Sequence, residues 1–173
     1  MQDKNPRSLF GIDINEYTQN VQFNILATKI DFLYLRSSGS GSGRFRVDKK
    51  FFDYVRSSRE YGIPVGAYHF GVPSYDLTDA DRQCDDFIQV LQQGFGNRNY
   101  GDLFPVLDVE TPIDKSISTK VLVEWIDRFR KRFEKKTRRR LMLYTGLYFI
   151  EIYDNFYVQG RGYPLKNMIL WIA

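Results

Sequence analysis

Two acids stand two residues apart at the end of an apolar run. In LFPVLDVETP, Leu103 to Pro112, the run closes on Asp108 and Glu110. Side chains of an extended strand alternate between its faces, so Asp108 and Glu110 share one side and Leu107 and Val109 the other. Two carboxyl groups crowded into a partly dry cleft cannot both ionise freely. Burial and like charge leave one as a proton donor beside an anion. That pair is the equipment for breaking a glycosidic bond: an acid protonates the leaving oxygen, and a carboxylate stabilises or traps the positive sugar centre. A bare D-x-E also fits two other roles, holding a metal or capping a neighbouring helix.

The other strand candidates end in polar or aromatic residues too. LFGIDI ends near Asp13, FLYLRS near Ser37, PVGAYHFG in Tyr68, His69 and Phe70, RLMLYTG near Tyr144, and NMILWIA near Trp171. By alternation Gly11 lies with Asp13, Tyr68 with Phe70, and Met142 with Tyr144; these sets are expected beside the two acids. Aromatic rings suit the apolar faces of sugars. His69 falls on the side opposite Tyr68 and Phe70 and reads as a structural, hydrogen-bonded residue. With one histidine and one cysteine, a zinc site of the usual ligands is not expected. No nucleophile elbow supports a Ser-His-Asp triad. Cys84 lies in a helical pattern and reads as a small buried residue.

Positioning these side chains requires six strands, over 9–14, 32–37, 64–71, 104–110, 140–146 and 167–173. Between them lie helical patterns. Residues 47–62 have Asp48 as N-cap and Gly62 as stop; 77–94 have Thr78 or Asp79 as cap and Gly94 as stop; 116–137 carry Val121, Leu122, Trp125, Ile126, Phe129 and Phe133 at helical spacing. The connections 16–29 and 147–155 are shorter and less regular. Strands alternating with helices predict right-handed βαβ units in a mainly parallel sheet, with the working face at the C-terminal strand ends. A closed barrel and an open doubly wound sheet both satisfy this pattern. SSGSGSG, 37–43, is expected to be a mobile loop on that face.

The 173 residues suit one domain, 1–173, and 43% apolar with 27% charged residues is an ordinary soluble composition. The net charge of +4 favours an anionic partner without choosing among nucleic acid, an acidic membrane and an anionic polymer. Nine basic residues fall in RFRKRFEKKTRRR, 128–140. They read as the solvated face of an amphipathic helix, with a grip on an anionic polymer second. No run is apolar enough to span a membrane, and MQDKNPRSLF lacks the apolar core of a signal peptide.

GIDIN (11–15), GIPVGAYHF (62–70), TDADRQCDDFIQVL (78–91), FPVLDVE (104–110), LYTGLYF (143–149) and LWIA (170–173) stand in an order that resembles the glycoside hydrolase family 25 lysozymes. The resemblance covers nearly the whole chain. It implies an α/β fold, a flattened TIM-like barrel of the (β/α)5(β)3 pattern, with the last strands missing from this chain because such enzymes run on past the LWIA segment. It implies N-acetylmuramidase activity, cutting the β-1,4 bond between N-acetylmuramic acid and N-acetylglucosamine in peptidoglycan. Glu110 would be the proton donor, protonated near neutral pH. Asp108 would be the anionic second carboxylate, acting directly or holding the substrate's acetamido group. Asp13 would complete the acidic cluster. Tyr68, Phe70, Tyr144, Trp171 and Ser37 would contact sugar. The resemblance also implies no metal or organic cofactor, and a monomer that acts on glycan strands at the bacterial cell wall, with neither membrane nor nucleic acid as partner. RSSGSGSG departs from the Thr-Glu-Gly segment common after the second strand of such enzymes. Two rivals remain: a wall-carbohydrate-binding module of the same fold without catalysis, and a nucleic-acid-binding α/β protein that uses the basic helix.

Overall fold

The short apolar segments form one sheet. The computed structural model describes residues 7–41 and 43–173. Its strands are β1 (Gly11–Ile14), β2 (Phe32–Gly39), β3 (Arg46–Val47), β4 (Val65–Phe70), β5 (Val106–Asp108), β6 (Met142–Thr145) and β7 (Ile169–Ile172). Its helices are α1 (Phe23–Leu26), α2 (Phe51–Glu60), α3 (Leu77–Phe95), α4 (Thr119–Thr137) and α5 (Leu147–Ile152), followed by a 3-10 turn at Asp154–Phe156. The sheet order is β1-β2-β4-β5-β6-β7, every neighbouring pair parallel, with β3 added antiparallel to the end of β2.

The two faces of the sheet differ. Leu33, Leu35, Val65, Ala67, Leu107, Val109, Leu141 and Leu143 pack in one core with Phe51, Phe87, Leu91, Trp125, Phe129 and Phe133 of the helices. Tyr34, Tyr68 and Val106 form a second, smaller cluster with Phe32, Leu103, Met142, Tyr144 and Trp171, and no helical side chain joins it. The rings of Tyr34 on β2 and Trp171 on β7 lie 5.1 Å apart. Four strand spacings separate β2 from β7, about 19 Å in a flat sheet, so the contact requires a strongly curled one. The fold is therefore a parallel half-barrel with helices on its convex side, not a doubly wound sheet. Among the described residues it is open between β1 and β7.

Strands β1, β4, β5, β6 and β7 fall inside segments expected from the sequence, β2 overruns its segment, and β3 lies in none of them. Ser37, Ser38 and Gly39 of the Gly/Ser run extend β2; both serines are fully buried, and Ser40 N–H donates to the Phe70 carbonyl at 3.0 Å. The expected mobile loop is thus half strand, and Ser42 lies outside the described residues, as do residues 1–6. Asp48 does not cap α2, which begins at Phe51; it is buried and bonds Arg36 and the Glu16 N–H instead. Asp76 rather than Thr78 or Asp79 caps α3, its carboxylate accepting from Thr78 N–H at 2.9 Å. Helix α3 runs past Gly94 to Phe95, and Gly96 ends it at φ 108°.

The basic run is largely spent on internal pairs. Arg128 binds Asp81, Arg132 and Lys136 bind Asp85, and Lys131 and Arg130 bind Asp127, all at 2.6–2.7 Å. These pairs tie α4 to α3 or run along α4, and they leave less free charge than the sequence suggests. None of the described helices is long and apolar enough to cross a membrane.

Gly66 shows how tightly the concave side is filled. A Cβ there would stand 2.4 Å from the Tyr34 ring and 2.9 Å from Leu103 Cβ. Tyr34 cannot retreat easily, because its hydroxyl donates to the Phe104 carbonyl at 3.0 Å. Gly66→Ala is expected to lower stability by about 1–3 kcal/mol through overpacking. Urea denaturation should show a lower midpoint at unchanged slope; an unchanged midpoint would mean the ring moves aside freely.

Candidate active site

Curling brings the inward side chains of neighbouring strands into rows. Residues at one level of a parallel ladder stand side by side. One row reads Phe70, Asp108, Tyr144, Trp171 across β4 to β7. The row below reads Arg36, Tyr68, Val106, Met142. Asp13 projects from β1, and Glu110 stands just past the end of β5. Together Asp13, Asn15, Arg36, Tyr68, Phe70, Val106, Asp108, Glu110, Tyr144 and Trp171 line a cavity of about 280 Å³.

The three carboxyl groups sit at different depths. Asp108 is 6% exposed, whereas Asp13 and Glu110 open to solvent. Asp108 Oδ1 is buried without a hydrogen-bond partner among the described residues. Burial first, then the charges of Glu110 and Asp13, push the Asp108 carboxyl up to about 8, against the pull of Arg36. Glu110 is raised by burial and then by Asp13. Asp13 is raised by burial, opposed by a hydrogen bond from its own backbone N–H. The sequence reading put the proton on Glu110 and the charge on Asp108. In the free cleft both groups are raised, Asp108 chiefly by its depth, and a proton held there belongs to the pair.

Aromatic walls flank the acids. Tyr144 and Trp171 meet edge to face at 5.0 Å. Burial, then Glu110 and Asp108, push the Tyr144 hydroxyl up to about 12. Burial raises Tyr68 as well, partly offset by a hydrogen bond from Asn15.

The structure thus gathers Asp13, Asp108, Glu110, Tyr68, Phe70, Tyr144 and Trp171 in one cleft and leaves Ser37 out. At Ser37 the β2–β4 register slips: Arg36 pairs with Tyr68 and Ser38 with His69. The extra residue turns away from the cleft, and Ser37 Oγ donates to the Tyr68 carbonyl at 3.0 Å. His69 lies on the helix side, fully buried, with Nδ1 3.0 Å from Ser38 Oγ and Nε2 3.0 Å from Gln83 Oε1. Burial lowers its pKa to about 4, so it is neutral at pH 7. Asn15, Arg36 and Val106 line the cleft without having been singled out from the sequence. Period two from Tyr34 and from Asp13 would have pointed to Arg36 and Asn15, and from Asp108 to Val106.

Residues 12–173 match the glycosyl hydrolases family 25. The chain belongs to this family. It is 64% identical to the crystal structure of the Clostridium perfringens spore cortex lytic enzyme SleM, with a TM-score of 0.96, over 99% of this chain and 55% of that one. It is 30% identical to an N,O-diacetylmuramidase of Arthroderma benhamiae over 83% of this chain and 60% of that protein. It is 27% identical to the uncharacterized protein YegX of Escherichia coli K12 over 82% of this chain and 50% of that protein. The chain spans about half the length of the curated relatives it matches.

An unpartnered buried carboxyl predicts a pH-dependent stability. The folded state holds the Asp108 proton more tightly than the unfolded chain, whose Asp titrates near 3.8. Stability from this group is therefore lost as pH rises from about 4 to about 8. Asp108→Asn should remove that slope and gain about 1–3 kcal/mol at pH 8, with little gain at pH 4. Denaturant titrations of both proteins at the two pH values measure it; an equal difference at both would assign the gain to something other than ionisation.

Proposed function

We propose that this protein is a peptidoglycan hydrolase, an N-acetylmuramidase that cleaves the β-1,4 bond between N-acetylmuramic acid and N-acetylglucosamine. The observation that carries the reading is the carboxyl pair Asp108 and Glu110, unequal in burial, in an aromatic-walled cleft of a family 25 chain. The names of two relatives, a spore cortex lytic enzyme and an N,O-diacetylmuramidase, support it.

Asp108 and Glu110 act as a pair that holds one proton across the neutral range. Such a proton belongs to the pair, not to one residue. The acid step uses the form with the proton on Glu110, the group that opens to the cleft. Glu110 then gives that proton to the leaving glycosidic oxygen as its bond to the anomeric carbon breaks. Asp108, left as the carboxylate in a site with little water, offsets the positive charge that develops at the anomeric centre. Glu110, now ionised, takes a proton from the attacking water. Asp13 keeps the proton affinity of both groups high. Tyr68, Phe70, Tyr144 and Trp171 offer the sugar faces their apolar surfaces.

Release of reducing ends from purified peptidoglycan tests the reading. Glu110→Gln should lower the rate by at least about 10²-fold. Binding without cleavage by the unaltered protein would instead assign it the role of a wall-binding module. The pH–rate profile should be bell-shaped. The acid limb is lost when both carboxyl groups are protonated. The alkaline limb falls near pH 8, where the pair gives up its last proton. A rate that stays level to pH 10 would remove Glu110 as the acid.

A further inference from the structure

A second cavity, of about 350 Å³, adjoins the acid cleft. Tyr17, Arg36, Gly39, Gly41, Arg46, Asp48 and Phe70 line it, and Arg36 and Phe70 line both cavities. Its charges are layered. Glu16 and Asp48 have side chains only 7% and 1% exposed, beneath Arg36 at 17% and Arg46 at 42%. The acids are saturated from within. Asp48 accepts from Arg36 Nε at 2.9 Å, from Glu16 N–H at 3.1 Å and from Lys50 N–H at 3.0 Å. Glu16 accepts from Arg36 Nη2 at 3.2 Å, from Lys49 N–H at 3.1 Å and from the fork of Arg46. These bonds hold Glu16 down at about 2 and lock both acids against the two guanidinium groups. Among the described residues Arg36 Nη1 and Arg46 Nε make no hydrogen bond. Arg36 lies 5.1 Å over the Tyr17 ring, which is 70% exposed and walls the cavity.

We propose that this cavity is a carboxylate-binding subsite of the glycan cleft, in which Arg36 and Arg46 receive an anionic substituent of the sugar seated between Tyr17 and Phe70. The inference rests on the glycan-hydrolase reading above and adds to it a rule for register. The neighbouring cavity holds Asp13, Asp108 and Glu110, which repel an anion. An alternating glycan with a carboxylate on every second sugar is therefore sorted, the charged sugar toward the arginines. Because both arginines are already oriented by buried acids, binding an anion requires little reordering of their side chains. The carboxylate has two sources in a wall polymer: the lactyl group of peptide-free muramic acid, or the acids of a stem peptide attached there.

The Glu110→Gln protein separates binding from turnover. Calorimetry would compare three tetrasaccharides of alternating N-acetylglucosamine and N-acetylmuramic acid: one with free lactyl carboxylates, one with these converted to methylamides, and one carrying stem peptides. The free acid should bind about tenfold or more tighter than the methylamide, the size of one charge-assisted hydrogen bond. That ratio should shrink with added salt, and it should approach parity when Arg46→Gln is added. If the peptide-bearing glycan binds like the free acid, stem-peptide acids fill the subsite; if it binds like the methylamide, the lactyl group does. Equal binding of free acid and methylamide, or a ratio that survives Arg46→Gln, would overturn the subsite and leave the hydrolase reading standing. Binding of none of the three would overturn both.

Discussion

A parallel strand buried on one face by helices has only its other face left for chemistry. In this chain that constraint acts on every strand of the half-barrel at once. Val65, Ala67, Leu107, Val109, Leu141 and Leu143 are committed to the helix side. The alternate positions must then point into the hollow of the curl, where the rings of Tyr34 and Trp171 meet across four strand spacings. The helices hold the curl from outside, with Trp125, Phe129 and Phe133 of α4 fully buried against α3 and the strands. The ion pairs between α3 and α4 lie at the margin of that contact. As exposed or half-exposed pairs they add little to stability individually, so the apolar core is what holds the curl.

The same constraint sets the acidity of the cleft. Asp108 is anchored at the level of Phe70 and Tyr144, below the mouth, and among the described residues its Oδ1 has no donor. Glu110, two residues on, has left the ladder and meets solvent. A difference in depth of one strand step is enough to divide two similar groups into a deep carboxyl with a high proton affinity and an open one that can exchange a proton. Leaving a carboxyl in this state lowers stability, a common feature of sites shaped for reaction.

Behind the cleft, a buried polar chain stiffens the rim. Gln83 of α3 donates to the Val72 carbonyl at 3.1 Å and accepts from Val72 N–H at 3.3 Å. Gln83 Nε2 also donates to Asp79, and its Oε1 is what faces His69, which therefore donates from Nε2 and accepts at Nδ1 from Ser38. This chain links the ends of β2 and β4 to α3 on the far side of the wall that carries Arg36, Tyr68 and Phe70. A neutral histidine suits it, because a charged one would be fully buried without an acid beside it.

Apart from the two-residue β3, the strand segments, the parallel α/β class and the inward face of β5 were legible in the sequence. These follow from period two and helical spacing, which are local properties of the chain. The sequence also marked Asp13, Tyr68, Phe70 and Tyr144 as companions of the two acids, since alternation places each on a known side of its strand, and Trp171 by its place at a strand end. Helix caps were less legible: Asp48, Thr78 and Asp79 are all chemically able to cap, and only the packed chain shows Asp48 drawn to Arg36 and Asp76 at the start of α3. The tertiary structure alone decided three things. It chose a curled sheet over a flat one, because curvature depends on how helices pack across many strands. It turned Ser38 to the helix side beside His69, because a register slip between two strands cannot be read from either one. It set Asp108 deep, with its Oδ1 unpartnered among the described residues, and Glu110 open to solvent, because depth and donors are properties of the assembled site and not of a D-x-E motif.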